Sequence, residues 1–244
     1  NGDPEHFIIV GRDITEKREM EEQLAKSEKL SVVGQLAAGV AHEIRNPLTS
    51  IKGFIQLLEE GILKKEFFEV ISKEFKQVEE IIEEFINLAK PKEIKLKKVN
   101  IKTILKEVET LLKPEANLKN VEIFQKDKQN IPQIMCDPNQ IKQVFINIIK
   151  NSIEAIPANG FVEIQVSIEG KNLLIETIDN GIGLSEERVQ KLGEPFYSNK
   201  EKGTGLGLMI CYRIVREHNG SIKVKSKENE GTTVEIRLPI KTCQ

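Results

Sequence analysis

Apolar positions recur every three or four residues over the first third of the chain. From Thr15 the sequence is rich in Glu, Lys, Gln and Leu, which favour helix, and its apolar positions form one stripe as far as Leu58. Gly61 interrupts this stripe, and a second one covers residues 66–90. The pattern predicts a helical hairpin over residues 15–90. One hairpin cannot bury both stripes, so we expect two chains to pair as a four-helix bundle.

The pattern changes after residue 90. Residues 91–100 are Lys-rich, begin with proline and show no period, which is typical of a linker. Residues 101–244 mix helical and alternating segments and predict an α+β domain, a sandwich with one sheet covered by helices on one side. The predicted helices cover residues 101–113, 138–156 and 206–218, and the predicted strands cover residues 121–125, 161–168, 172–178, 221–226 and 232–239. A polar, glycine-rich loop is expected over residues 179–205.

The opening segment, residues 1–14, contains one β-branched stretch that predicts a strand. A single strand cannot form a sheet by itself. We therefore expect these residues to be the last strand of a truncated domain whose remainder lies upstream.

Composition excludes two classes of protein. The charges nearly cancel, with 36 Lys and Arg against 38 Asp and Glu, so there is no positive field to attract nucleic acid. No apolar stretch approaches the ~20 residues that a transmembrane helix needs. Cys136, Cys211 and Cys243 lack disulfide or metal-ligand spacing and indicate reduced thiols. We expect no nucleic-acid partner and a cytoplasmic location, while a membrane anchor elsewhere in a longer chain stays open.

One histidine lies on the polar side of the first predicted helix. At 100° per residue, His42 lies opposite Val40 and Ile44 of the apolar stripe, so we expect it to be exposed. A neutral imidazole is a nucleophile, and Glu43 can accept its other ring proton. Pro47 lacks the N–H that would bond the carbonyl of Glu43, which perturbs the helix. Taken alone, this segment also fits an incidental surface histidine beside a kink.

Polar residues and glycines in the second domain predict another site. The positions are Asn147 and Asn151 on an otherwise apolar helix, Asp179, Gly181 and Gly183 after a strand, and Gly203, Gly205 and Gly207 at the start of the last helix. Glycines at a helix N-terminus let backbone N–H groups approach a phosphate. Each feature alone also has an ordinary explanation, as a solvent-facing row, a hairpin turn or a loop. The spacing matches neither the dinucleotide-binding nor the P-loop motif.

The run His42-Glu43-Ile44-Arg45-Asn46-Pro47-Leu48 resembles the H-E-x-x-N-P-L phosphoacceptor box of bacterial two-component sensor histidine kinases. The resemblance implies that His42 takes a phosphoryl group from ATP, that Glu43 is the general base and that Asn46 positions water during dephosphorylation. It also implies a homodimer and a response regulator whose receiver domain takes the phosphoryl group on an aspartate. Whether a small inhibitory protein binds the helical bundle stays open.

Four segments of the second domain resemble, in order, the nucleotide-binding boxes of the Bergerat-fold ATPases shared by histidine kinases, gyrase and related chaperones. They are Asn147-x-x-x-Asn151, Asp179-x-Gly181-x-Gly183, Pro195-Phe196-Tyr197 and Gly203-x-Gly205-x-Gly207. By that likeness Asn151 holds Mg²⁺, Asn147 supports the phosphate end and Asp179 accepts from the adenine amino group, with space left by the glycines. Residues 184–205 become a mobile lid over ATP. The implied ATP-binding residues of the lid region are Lys200, Lys202, Gly203, Thr204, Gly205, Leu206 and Gly207.

Some positions depart from the family pattern, and two other functions share parts of it. Ser152 stands where alanine is usual, and Ser198 begins a pair that replaces threonines. An ATPase that closes a clamp would not need His42, and a dimerisation scaffold would not need Asp179. The segment 28–58 is most similar to the kinases that start sporulation in bacilli, and the opening segment is similar to the end of PAS sensor domains.

Overall fold

The computed structural model describes residues 15–89, 94–127, 131–194 and 205–240. The chain divides into two compact units, Asn1–Lys90 and Pro91–Gln244. The strand expected in residues 1–14 falls outside the described residues. No helix in the described ranges combines the length and the apolar composition that a membrane crossing requires.

The first unit is a pair of long helices, as predicted. Helix α1 covers Thr15–Glu59 and helix α2 covers Lys65–Ala89. The chain turns at Gly61, whose φ of 86° lies in the left-handed region that favours glycine. The Gly61 N–H donates to the carbonyl of Leu58 at 3.1 Å and the Ile62 N–H donates to the carbonyl of Leu57 at 3.0 Å. These two bonds form a Schellman motif, which ends α1.

The two helices pack through a small core and leave other apolar side chains exposed. Val40, Ile51 and Ile81 are buried, and near the turn the rings of Phe54 and Phe67 lie 5.1 Å apart between centroids. The exposed apolar side chains that we call the exposed seam are Leu48, Ile55, Phe68, Phe75 and Ile82. The seam repeats every seven residues along each helix, which is the spacing of a contact between packed helices.

The second unit alternates short strands and helices. In chain order it contains β1 (Lys97–Val99), α3 (Ile101–Leu118), β2 (Val121–Asp127), β3 (Ile134–Cys136), α4 (Pro138–Ala155), β4 (Gly160–Glu169), β5 (Asn172–Asp179), α5 (Glu186–Gln190), α6 (Gly207–Glu217), β6 (Ser221–Lys227) and β7 (Gly231–Pro239). Five strands form one sheet in the order β2-β4-β5-β7-β6. Strands β2 and β4 are parallel, and the other neighbours are antiparallel.

Alternation along β5 shows which face of the sheet is covered. Leu173, Ile175, Thr177 and Asp179 are buried, whereas the residues between them are only half-buried. Helix α4 contacts β4 and β5, and it also contacts α3 and α6. The predicted α+β arrangement, with helices on one face of the sheet, is confirmed. Asp179 is the last residue of β5 and belongs to the covered face.

Four elements differ from the prediction: β1, β3, α3 and α5. Residues 97–99 form β1, which pairs antiparallel with β3, so this part of the predicted linker belongs to the second unit. Residues 186–190 form α5 inside the predicted loop. Helix α3 continues past Pro114 to Leu118. The proline removes one hydrogen bond, but the helix is retained because Ala116 after it is buried in the core. Strands of three residues carry no periodic signal, which is why β1 and β3 were not predicted.

Asp137 forms hydrogen bonds with the segment before β1, with the start of α4 and with the residue after α6. Its carboxylate caps α4 by accepting from the N–H groups of Asn139 and Gln140 at 3.0 and 3.2 Å, and it also accepts from the Lys95 N–H at 3.0 Å. The Asp137 N–H donates to Nε2 of His218, the residue after α6, at 3.0 Å. Burial acts to raise the pKa of Asp137, but the three N–H donors and His218 outweigh it, so the pKa lies below its usual value.

Two glycine substitutions in the first unit should have opposite effects. Gly61→Ala should destabilise the hairpin by about 1 kcal/mol, because alanine is strained at a positive φ. Gly53→Ala lies inside α1, where an added Cβ meets nothing within 4 Å, and it should stabilise the helix by about 0.5 to 1 kcal/mol. Thermal unfolding followed by circular dichroism measures both changes. Shifts of the same sign would contradict the assigned helix end.

Candidate functional site

His42 is exposed on α1, as its helical phase predicts. Arg45, Asn46 and Thr49 lie on the same face and are exposed as well. Gly53 lies on the same face about three turns further along, and a Cβ added there would meet nothing within 4 Å. The surface around the imidazole is therefore open to a large reagent.

The helix is perturbed within two turns of this histidine. Pro47 lies inside α1 and offers no N–H to the carbonyl of Glu43. The Thr49 hydroxyl donates back to the carbonyl of Arg45 at 2.9 Å, a bond that often accompanies a bend. Glu43 is half-buried beside His42 in the chain, and Asn46 is exposed one turn further on. Adjacency along the helix alone brings His42, Glu43 and Asn46 together.

A buried carboxylate forms the centre of a second site. Asp179 is 4% exposed, and its Oδ1 accepts from the N–H groups of Gly181 at 3.0 Å and Thr232 at 3.2 Å. The hydroxyl of Ser152 donates to the same carboxylate. Burial raises the pKa of Asp179, and these three hydrogen bonds counteract only part of that effect. A carboxylate has about four acceptor positions, so one remains for a donor on a ligand.

The turn after Asp179 is held between α4 and the turn that joins β6 to β7. The Ile182 N–H donates to the carbonyl of Ala155 at 3.0 Å, and the Ile182 carbonyl accepts from a backbone N–H of the β6–β7 turn at 2.7 Å. Gly183 has a φ of 63°, and a Cβ added there would overlap the carbonyl oxygen of Lys227. Only glycine fits this position.

Helix α4 joins the two ends of the second site. Ser152 near its C-terminus contacts Asp179, whereas the Nδ2 of Asn147 donates to the carbonyl of Gly207 at 3.2 Å, at the start of α6. Five residues of α-helix rise about 7.5 Å, so the two contacts lie well apart along the helix. Asn151 lies between them and is exposed. Asp179 and the start of α6 therefore contact α4 at two separate points, with the exposed Asn151 between them.

The N-terminus of α6 suits an anionic group. Its N-cap residue, Leu206, makes no side-chain hydrogen bond to the helix. The first N–H groups of a helix have no partner within it and form the positive end of its dipole. Gly205 precedes them with a φ of 65°. The expected lid residues Lys200, Lys202, Gly203 and Thr204, and the segment from Pro195 to Tyr197, lie outside the described residues.

Two protein families match the two units. Residues 32–94 match the His Kinase A (phospho-acceptor) domain, and residues 136–242 match the histidine kinase-, DNA gyrase B- and HSP90-like ATPases. The chain is 47% identical over 238 residues to sporulation kinase E of Bacillus subtilis (strain 168), covering 96% of this chain and 32% of the relative. The chain belongs to the sensor histidine kinases.

Other histidine kinases are also similar to this chain in sequence or in structure. Sporulation kinase C of Bacillus subtilis (strain 168) is 43% identical over 240 residues, which cover 94% of this chain and 56% of that protein. The crystal structure of histidine kinase ThkA in complex with response regulator protein TrrA superposes with a TM-score of 0.81 at 29% identity, covering 94% of this chain and 68% of that one. The chain spans about a third to just over half of the two sporulation kinases.

The predicted site residues fall inside the two histidine kinase domains. His42, Glu43 and Asn46 lie in the phosphoacceptor match, and the predicted nucleotide-binding residues lie in the ATPase match. The structure brings Asn147 to Gly207, and it holds Asp179 against Gly181.

Two donors to Asp179 were missed in the sequence. In the sequence Ser152 is only a departure from the family pattern, yet its hydroxyl donates to the carboxylate. Thr232 contributes its backbone N–H, because β5 and β7 pair in a register that places Thr232 opposite Asp179. Residue type says nothing about a backbone donor, and register between distant strands cannot be read from one sequence. A serine directly after Asn151 was the one available signal.

Asp179→Asn should abolish ATP binding while leaving the second unit as stable as before or more so. The amide oxygen can still accept from the two N–H groups, but its NH₂ group cannot accept from Ser152 or from a ligand. A raised native pKa means that native-state stability falls as the pH rises from the usual aspartate pKa to the native one. The variant should not show this fall in stability, which melting curves across pH would measure. Calorimetry with ATP would measure the loss of binding.

Asp137→Asn is the matched control for the Asp179 substitution. The pKa of Asp137 is lowered, so its charge stabilises the native state above its usual pKa, and that stability is lost as the pH falls through the native pKa. The control should therefore lower the melting temperature at pH 7. Unchanged ATP affinity in Asp179→Asn would contradict the role given to this carboxylate.

Proposed function

We propose that this chain phosphorylates itself on His42 with ATP and passes the phosphoryl group to an aspartate of a response regulator. The observation that carries the proposal is an exposed histidine on an open helix face, in a chain that also has a buried Asp179 with one acceptor position left. An ATPase that only closes a clamp needs the second of these features but not the first. A dimerisation scaffold needs neither.

ATP is proposed to lie along α4. Asp179 accepts from the adenine amino group, and Gly181 and Gly183, expected from the sequence to leave space for the base, instead let the turn after Asp179 pack against the carbonyls of Ala155 and Lys227. The phosphates lie towards the contact of Asn147 with Gly207, where the N-terminus of α6 favours negative charge. In this proposal Lys200, Lys202 and the amides of residues 203–207 close over the phosphates.

Asn151 is the proposed protein ligand of Mg²⁺. Its side chain is exposed on α4, and amide oxygens suit magnesium, which takes most of its other ligands from phosphates and water. Within the described ranges, no group of three or more His, Cys, Asp and Glu residues offers a cage made by the protein alone. Bound magnesium would neutralise charge on the phosphates during transfer.

The proposed chemical step is a displacement at phosphorus. A ring nitrogen of His42 attacks the γ-phosphorus, a P–N bond forms, the bond from the γ-phosphorus to the β–γ bridging oxygen breaks, and ADP leaves. The proton on the other ring nitrogen passes to Glu43, which follows in the chain and is half-buried. Asn46 is proposed to position water when the phosphoryl group is removed from the partner.

The proposal includes a homodimer and two protein partners. A second hairpin would cover the exposed seam of the first and complete a four-helix bundle. ThkA was crystallised with response regulator protein TrrA, which supports a receiver domain as the partner of this hairpin. An inhibitory protein that binds the bundle would act by blocking His42. The relatives named sporulation kinases support a role in sporulation.

Labelling with γ-labelled ATP tests the reaction. The product should be a phosphoramidate, labile to acid and stable to base. His42→Gln should eliminate the label but keep ATP binding, and Glu43→Gln should slow labelling by about 10²-fold, the scale of a positioned general base. His6→Gln, outside both matched domains, is the matched control and should label normally. An acid-stable label, or a label in His42→Gln, would refute the mechanism.

The exposed seam generates a prediction about mass. Light scattering of the wild-type chain should give twice the monomer mass of 27.7 kDa. Phe75→Glu should shift the protein towards monomer, because a charge in a buried helix contact is costly. Lys76→Glu changes the neighbouring exposed residue and should leave the dimer intact. A wild-type monomer at micromolar concentration would exclude the bundle.

A further inference from the structure

The side chain of the residue that follows α3 caps the C-terminal end of α4. Lys119, the residue after α3, donates from Nζ to the carbonyls of Ile153 at 3.1 Å, Glu154 at 3.0 Å and Ile156 at 3.1 Å. An ammonium group has three N–H donors, so this contact uses all of them. The last carbonyls of a helix have no partner within it and carry the negative end of its dipole. A partly buried cation is well placed there.

The remaining carbonyl in this stretch serves the nucleotide site. Ala155 lies between the residues that Lys119 binds, and its carbonyl accepts from the Ile182 N–H in the turn after Asp179. A Cβ added to Gly181 would lie 2.8 Å from the same oxygen. The turn therefore approaches Ala155 as closely as glycine permits, and any shift of Ala155 would displace the turn.

The backbone around Lys119 is fixed to the sheet that carries Asp179. The Lys119 carbonyl accepts from the Asn159 N–H at 3.0 Å, and the Asn120 carbonyl accepts from the Gly160 N–H at 3.3 Å. Gly160 begins β4, and β4 pairs with β5 so that Val162 lies opposite Asp179. Lys119 is therefore attached both to α4 and to the strands that hold the carboxylate.

We propose that Lys119 is a positioning residue for nucleotide binding. By holding the last turn of α4, it places the Ala155 carbonyl where the turn at 180–183 needs it, and so fixes Asp179 relative to Ser152. Lys119 itself touches no nucleotide. The proposal rests on the proposed function, since it takes adenine to lie at Asp179. Its effect should be confined to the base end, because Asn147 lies about 12 Å back along the helix from Ala155.

Lys119→Met removes the donors and the charge but keeps an unbranched side chain. In the full chain, its dissociation constant for ATP should rise about tenfold. The KM for ATP should rise by a similar factor while autophosphorylation at saturating ATP stays within about twofold of wild type. Lys119→Arg keeps a charged donor group and should recover most of the affinity. Lys106→Met changes an exposed lysine of α3 that pairs with Glu109, and is the matched control.

Two further readouts separate positioning from a loss of stability. Amide exchange of Ile182 should become about tenfold faster in Lys119→Met, whereas Ile141, which donates to the Asp137 carbonyl at the other end of α4, should not change. The ratio of ATP to GTP affinity should also fall, because guanine has no amino group at the position that Asp179 reads. A merely destabilised variant would melt earlier with this ratio unchanged.

The outcomes distinguish the two proposals. A wild-type chain without ATP affinity refutes the proposed function itself. A wild-type chain that binds ATP, together with a Lys119→Met variant of equal affinity and unchanged Ile182 exchange, overturns the role of Lys119 alone. If Lys119→Met does not fold, Lys119→Gln takes its place, since a shorter amide cannot serve all three carbonyls. Wild-type affinity and exchange in that variant overturn the proposal equally.

Discussion

A buried carboxylate needs donors from its surroundings, and Asp179 draws them from three parts of the second unit. Ser152 belongs to α4, Gly181 to the turn after β5, and Thr232 to β7. Each donor is in place only when its own element is in place. Because the carboxylate lies in the covered face of the sheet, the packing of α4 on β5 and the register of β5 with β7 are both conditions for this one group to be solvated by the protein.

The two proposed reactive centres make opposite demands on the chain. His42 has to be reachable, and it occupies a helix face made of small and polar residues. The proposed role of Asp179 is to discriminate between bases, which requires desolvation and fixed donors, and the cost of desolvation appears in its raised pKa. His42 lies in the first unit and Asp179 lies in the second. Two units, each with its own core, allow both.

Local features could be predicted from the sequence, and features that depend on distant partners could not. The exposure of His42 follows from helical phase, and the turn at Asp179 follows from residues that adjoin it in the chain. The bond from Ser152, the backbone donor at Thr232 and the cap by Lys119 depend on which elements become neighbours. Strands β1 and β3 could not be predicted for the same reason, since each is three residues long and is stabilised by the other.

Asp137 has a practical consequence for dissecting the protein. The periodic pattern places the start of the second domain at residue 101, and a truncation there would look harmless. It would, however, delete β1, leave the backbone of β3 without its partner strand and remove the Lys95 N–H from the carboxylate that caps α4. A separately produced ATPase domain therefore has to begin before Lys95. Otherwise the N-terminal cap of α4 will be weakened.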